Sequence, residues 1–102
     1  MRQSSTVRWL PPPPDCVEVN FDARFNQREK IGWSGVFIRN NEGYELGACR
    51  RKMVRIPSPF AAEAQAAEHA LELAKYLGFN HIILEGDSRT VMEKLIVAHE
   101  DH

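Results

Sequence analysis

An α/β fold, a mixed sheet with helices packed on it in the order β-β-β-α-β-α, is predicted by three features of the sequence. Its first half holds stretches of period-two alternation separated by short turn-forming segments. An alanine-rich segment of helical period follows, between Ser58-Pro59 and Gly78. Then comes the continuous apolar run Ile82-Ile83-Leu84, which reads as a strand buried on both faces; such strands usually pair in parallel beneath helices.

Taken in order, residues 1–14 read as an extended arm or linker ahead of a domain over 15–102. Met1–Arg8 is polar, and the run Pro11–Pro14 suits polyproline II, while Trp9 and Leu10 are apolar enough to dock on the domain edge. From Cys16 onward Val17, Val19 and Phe21 alternate with Glu18, Asn20 and Asp22, which predicts the first strand. Ile31–Arg39 is the second strand, with Gly32 and Gly35 leaving room for close backbone approach. Asn40-Asn41-Glu42-Gly43 is a turn, and Tyr44–Val54 is its partner strand, so the three strands form an antiparallel meander. Ser58 is placed to cap a helix over Phe60–Leu77, with Pro59 at its first position and Gly78 as its stop. His81–Glu85 is the fourth strand. Ser88 can cap a second helix over Arg89–Ala98, with Val91, Met92, Leu95 and Ile96 turned inward.

Composition narrows the classes. A chain of 102 residues makes one domain, and 43% hydrophobic with 26% charged residues excludes wholesale disorder. The apolar runs are only a few residues long, too short for a membrane helix, and the N-terminus has no apolar stretch of signal-peptide length. Cys16 and Cys49 lie far apart and form no C-x-x-C pair, which fits a reducing compartment. The expected location is therefore intracellular, nuclear or cytoplasmic, and not secreted. The net charge of −1 divides unevenly: residues 1–57 carry ten Lys/Arg against six Asp/Glu, and 58–102 carry three against eight. That asymmetry reads either as a surface for phosphates beside one for cations, or as a chance spread of solvated charge.

Three carboxylates stand in unusual places. Asp22 lies within a strand, where aspartate is depleted; the plain alternative leaves it on a solvent face with Glu18 and Asn20. Wound at about 100° per residue, the helix puts Glu63 inside a stripe made by Ala67, Ala70, Ala74 and Leu77, with Phe60 and Leu71 beside it. A core-facing carboxylate is costly unless it is paired or metal-bound, although Glu63 also suits the positive end of the helix dipole. Asp87 ends the fourth strand, where it is either a helix cap or a ligand at the carboxyl end of parallel strands. Should the first strand pair in parallel with the fourth, Asp22 lies beside Asp87 and the helix aims Glu63 at both. Three crowded carboxylates call for a cation, and oxygen-only ligands suit Mg²⁺ or Mn²⁺; two such ions form the usual clamp for phosphodiester cleavage.

The segments Val19-Asn20-Phe21-Asp22-Ala23, Ala62-Glu63-Ala64 and Glu85-Gly86-Asp87-Ser88 resemble the first three acidic motifs of the ribonuclease H-like family. The resemblance is greatest to the plant domain found alone or at the end of retroelement reverse transcriptases, where a Trp and prolines also precede the first strand, as Trp9 and Pro11–Pro14 do here. It covers about residues 9–98 and extends to the helix entry Ser58-Pro59-Phe60-Ala61-Ala62-Glu63-Ala64. The resemblance implies a five-stranded mixed sheet and two-metal hydrolysis of the RNA strand of RNA–DNA hybrids, with Asp22, Glu63 and Asp87 as catalytic metal ligands. It also implies contacts to 2′-hydroxyls. Arg50, Arg51, Lys52 and Arg55, with Arg24, Arg28 and Lys30 from the first connection, are candidates for positioning phosphates or, alternatively, a solvated strand edge.

Two departures stand out. Ala23 occupies a position that is usually glycine in the family, where a methyl would impede a substrate backbone. The family also continues beyond the point corresponding to His102 with a further strand and a helix carrying a fourth metal-binding aspartate, a role not carried over to Asp101. A truncated domain is thus expected, with two readings: a hybrid-cleaving nuclease, or an inactive nucleic-acid-binding or interaction module. An uncovered sheet edge would then invite self-association. The four histidines, His69, His81, His99 and His102, show no ligand spacing and are expected at the surface.

Overall fold

The computed structural model describes residues 16–86 and the backbone course of 94–98. The proline-rich arm, Asp87, Ser88, His99 and His102 lie outside the described residues. Five strands form one mixed sheet: β1 (Val17–Asn26), β2 (Ile31–Arg39), β3 (Glu45–Met53), β4 (His81–Gly86) and β5 (Lys94–Ala98). Their spatial order is β3-β2-β1-β4-β5, with β1 at the centre. β1 and β2, then β2 and β3, pair antiparallel, while β1 and β4 run parallel from Val17↔Ile82 to Phe21↔Gly86.

Among the described residues one helix, α1 (Pro59–Tyr76), lies on one face. Its ends form as the sequence dictates. Ser58 adopts extended backbone geometry and its hydroxyl accepts from the Ala61 amide at 3.1 Å, with Pro59 in the first turn. At the other end Gly78 takes φ +88; its amide donates to the Lys75 carbonyl and that of Phe79 to the Ala74 carbonyl, both at 3.0 Å. This is the paired-carbonyl termination that a left-handed residue permits.

Alternation decides which strand residues meet the helix. Val17, Val19 and Phe21 of β1, Val36 and Ile38 of β2, and Ile82 and Leu84 of β4 pack with Ala66, Ala70 and Ala74. A second cluster of Met53, Ile56 and Ala62, with Ala23 and Phe25 against it, fastens the start of α1 beside the outer half of β1. The Ile56 amide donates to the Lys30 carbonyl at 2.9 Å, tying the β3–α1 connection to the β1–β2 turn.

Three expectations need correction. The buried stripe of α1 is Ala62, Ala66, His69, Ala70 and Ala74, turned by about 60° from one centred on Glu63. Phe60 and Leu77 are exposed, because the i, i+4 row of alanines lets the helix lie close to the sheet while the larger residues take its flanks. Residues 94–98, assigned above to a helix, instead form β5, which pairs antiparallel with β4 through Leu84↔Leu95, Ile83↔Ile96 and Ile82↔Val97. The β-branched pair Ile96-Val97 favours a strand, and the outer edge of β4 would otherwise leave backbone groups unpaired. The β4 edge that would have invited self-association is thus covered by the chain itself.

His69 is the third correction. It is buried rather than superficial, and its Nδ1 shares a 2.7 Å hydrogen bond with Ser34 Oγ of β2. The hydroxyl donates when the neutral ring carries its proton on Nε2. Burial lowers the pKa of His69 below 6.5, the Arg51 charge adding to the effect and Glu72 and Glu68 opposing it. The unfolded chain therefore binds the proton more readily, so this group's contribution is complete above pH 6.5 and is lost as pH falls below it. Melting the wild type and His69→Gln between pH 8 and pH 5 should show a steeper acid-side fall for the wild type. Parallel curves would exclude His69 as the source.

Candidate nucleic-acid and metal site

Directly paired strand residues share a face, so the register defines the side of the sheet opposite α1. One row runs Lys52–Trp33–Arg24, the next Arg50–Gly35–Asp22, and the next Ala48–Phe37–Asn20–Glu85. Among the described residues no element covers this side, and Trp33 and Phe37 are exposed on it.

Asp22 is exposed on this open side at a distinctive point of the topology. β1 runs on to Asn26, but its parallel ladder with β4 ends at Phe21↔Gly86. Asp22 is thus the first residue of β1 beyond that ladder, where a central strand has an antiparallel neighbour on one side and the carboxyl end of a parallel one on the other. In open α/β sheets this is where ligands settle. Phe21 and Gly86 immediately precede Asp22 and Asp87 in sequence; Asp87 itself is outside the described residues.

Glu63 is half-buried at the edge of the α1 stripe, with its Oε1 shielded from solvent. It lines a cavity of about 540 Å³ with Ala23, Phe25, Phe60 and Ala62. Asp22 instead lines a 350 Å³ cavity with Asn20, Phe37 and Glu85, and a larger groove reaching Arg50. Asp22 thus faces the open side of β1, and Glu63 stands beside the next residue, Ala23, the two acids lining separate cavities. Among the described residues no group of three or more His, Cys, Asp and Glu side chains forms a metal cluster. Both acids offer carboxylate oxygens, the donors that Mg²⁺ and Mn²⁺ take, so the donor type fits such ions. The methyl of Ala23 packs toward α1 and leaves the Asp22 side unobstructed.

The basic candidates separate in the same way. Arg24, Arg50 and Lys52 share the open side with Asp22. Arg28 and Lys30 are in the exposed β1–β2 turn, and Arg55 is in the β3–α1 connection, where it and Lys30 take positive φ. Arg51 lies on the helix side, where its Nη1 donates to Glu72 Oε1 at 2.8 Å. Sequence reading passed over Trp33, Phe37 and Glu85. The signal for Trp33 and Phe37 was present in the alternation of β2, since placing Ser34, Val36 and Ile38 inward puts Trp33, Gly35 and Phe37 outward.

Comparison with known proteins agrees with this architecture. No curated protein matches the chain. A ribonuclease H1 from the halophilic archaeon Halobacterium salinarum NRC-1 superposes with a TM-score of 0.68 at 27% identity, over 74% of this chain and 56% of that one. The chain therefore spans little more than half the length of that solved relative. A family described as reverse transcriptase-like matches residues 20–102. With its mixed sheet, central β1 and match over most of its length, the chain belongs to this reverse transcriptase-like, ribonuclease H-like family.

Proposed function

We propose that the chain is a ribonuclease H-type endonuclease that hydrolyses the RNA strand of RNA–DNA hybrids, with Asp22, Glu63 and Asp87 holding two Mg²⁺ or Mn²⁺ ions. The observation that carries the reading is the place of Asp22, the first β1 residue beyond the parallel ladder, in a chain of this family. When bound, the ions supply an activated water and charge stabilisation for the leaving oxygen. The chain's own residues do the rest. The carboxylates of Asp22 and Glu63 provide anionic oxygens, and the half-burial of Glu63 limits competition from water for its Oε1. Arg24, Arg50 and Lys52, on the same side as Asp22, take phosphate oxygens and orient the duplex, with Arg28 and Lys30 reaching from the turn.

The test uses a hybrid labelled on its RNA strand, incubated with the chain in Mg²⁺ or Mn²⁺, and with EDTA. Cleavage of the RNA strand is expected only with the metal, and the same RNA paired with a complementary RNA strand should stay intact. Metal-loaded chain that leaves the hybrid uncut overturns the nuclease reading. If that chain still binds the hybrid with salt-dependent affinity, the inactive nucleic-acid-binding module takes its place.

A further inference from the structure

We propose that the side of β2 that no described element covers is a stacking platform for unpaired nucleotides, a surface for single-stranded nucleic acid beside the acidic residues. The inference rests on the nuclease reading only for the class of ligand. Trp33 and Phe37 are 38% and 46% exposed, although large aromatic rings on a strand usually find cover. They occupy positions i and i+4 of β2, so their rings project to one side roughly 13 Å apart. That span suits two bases of an extended strand rather than two neighbours in a stacked duplex. Between them lies Gly35, and a Cβ built there would meet nothing within 4 Å. The backbone is therefore open at the middle of a groove of about 710 Å³.

Charge selects the occupant. Arg50 places its guanidinium over the Trp33 ring, 4.9 Å from the centroid, and Arg39 lies 5.8 Å from that of Phe37. Each aromatic surface thus already carries a planar, weakly hydrated cation that can stack on a base and meet a phosphate. Trp33 is also flanked in register by Lys52 on one side and Arg24 on the other. The acids of this side are Asp22, which lines the groove beside Gly35, Glu85 on β4, and Glu18 and Glu45, both in register with Arg39, so the excess of cations lies at the Trp33 end, with Lys52, Arg24 and Arg50. Alternating rings and cations match the alternating bases and phosphates of a single strand, which binds by stacking with little dependence on sequence.

Binding can be measured without turnover. The full chain carrying Trp9→Phe, which leaves Trp33 as the sole indole, is titrated in EDTA with a twelve-nucleotide single-stranded DNA. Trp33 fluorescence should be quenched, and Trp33→Ala or Phe37→Ala, followed by anisotropy of a labelled strand, should each weaken binding about tenfold. Gly35→Gln fills the groove where there is room for a side chain, so it should weaken binding without unfolding the sheet. An abasic oligomer of the same length should bind at least tenfold more weakly than the DNA. Equal affinity for the abasic strand would reduce the surface to a phosphate patch and overturn the proposal. So would folded Gly35→Gln with unchanged affinity, or a mass that doubles with concentration while DNA produces no quench. Because no metal is present, a chain that binds here but never cleaves hybrids would refute the nuclease reading alone.

Discussion

Asp22→Asn is expected to lower the rate of metal-dependent hybrid cleavage by about a thousandfold or more, a loss of roughly 4 kcal/mol of transition-state stabilisation. The fold should be untouched. Asp22 is exposed, and asparagine keeps its shape and strand behaviour while removing the charge that a divalent cation requires. Single-turnover cleavage of a labelled hybrid in Mg²⁺ gives the rate, and thermal melting, expected within about 2 °C of wild type, excludes unfolding. Glu42→Gln, which removes a carboxylate from the β2–β3 turn, serves as the control and should cleave at the wild-type rate. A rate within tenfold of wild type for Asp22→Asn would remove this residue from the chemistry, whatever the family of the chain.

Much of the frame was legible in the sequence, and the reasons are local. Strict alternation over Val17–Asp22 defined a strand with one buried side, while the hydroxyl of Ser58 and the free φ of Gly78 marked the helix ends. What failed depended on partners distant in sequence. The helical wheel, wound from Glu63, put Leu77 and Phe60 in or beside the apolar stripe, but the sheet selected the alanine row that permits close packing. His69 looked superficial because its partner, Ser34, is 35 positions away on another element. The segment 94–98 has apolar residues compatible with either helix or strand, and the outer edge of β4 decided between them.

The acids show the same division between local and global information. Motif order correctly put Asp22 on a central strand and Glu63 on the helix crossing beneath it. It did not disclose that the two line separate cavities, Glu63 beside Ala23 and Asp22 beside Asn20 and Glu85. The charge asymmetry likewise acquired a geometry. The basic first half forms the meander, whose open side carries Arg24, Arg50 and Lys52, whereas the acidic second half includes α1 with Glu63, Glu68 and Glu72.

Gly86→Ala is expected to destabilise the chain by about 1–3 kcal/mol, a fall of some 5–20 °C in melting temperature. The cause is specific. A Cβ on Gly86 would stand 2.6 Å from Cζ of Phe21, with two further ring carbons at 3.1 and 3.2 Å. Phe21 is only 4% exposed and packs in the principal core, so its ring cannot retreat without displacing Val36 or the helix alanines. Shortening the ring should relieve the clash: in Phe21→Leu/Gly86→Ala the combined loss should be smaller than the sum of the single losses by 1 kcal/mol or more. Strict additivity in urea denaturation would show that the two residues do not share this constraint. Cleavage should follow the same pattern, because this pair closes the parallel ladder immediately before Asp22. A glycine at the end of β4 thus sets how closely the two strands converge, and through Phe21 it couples the packing of the core to the position of a carboxylate on the open side.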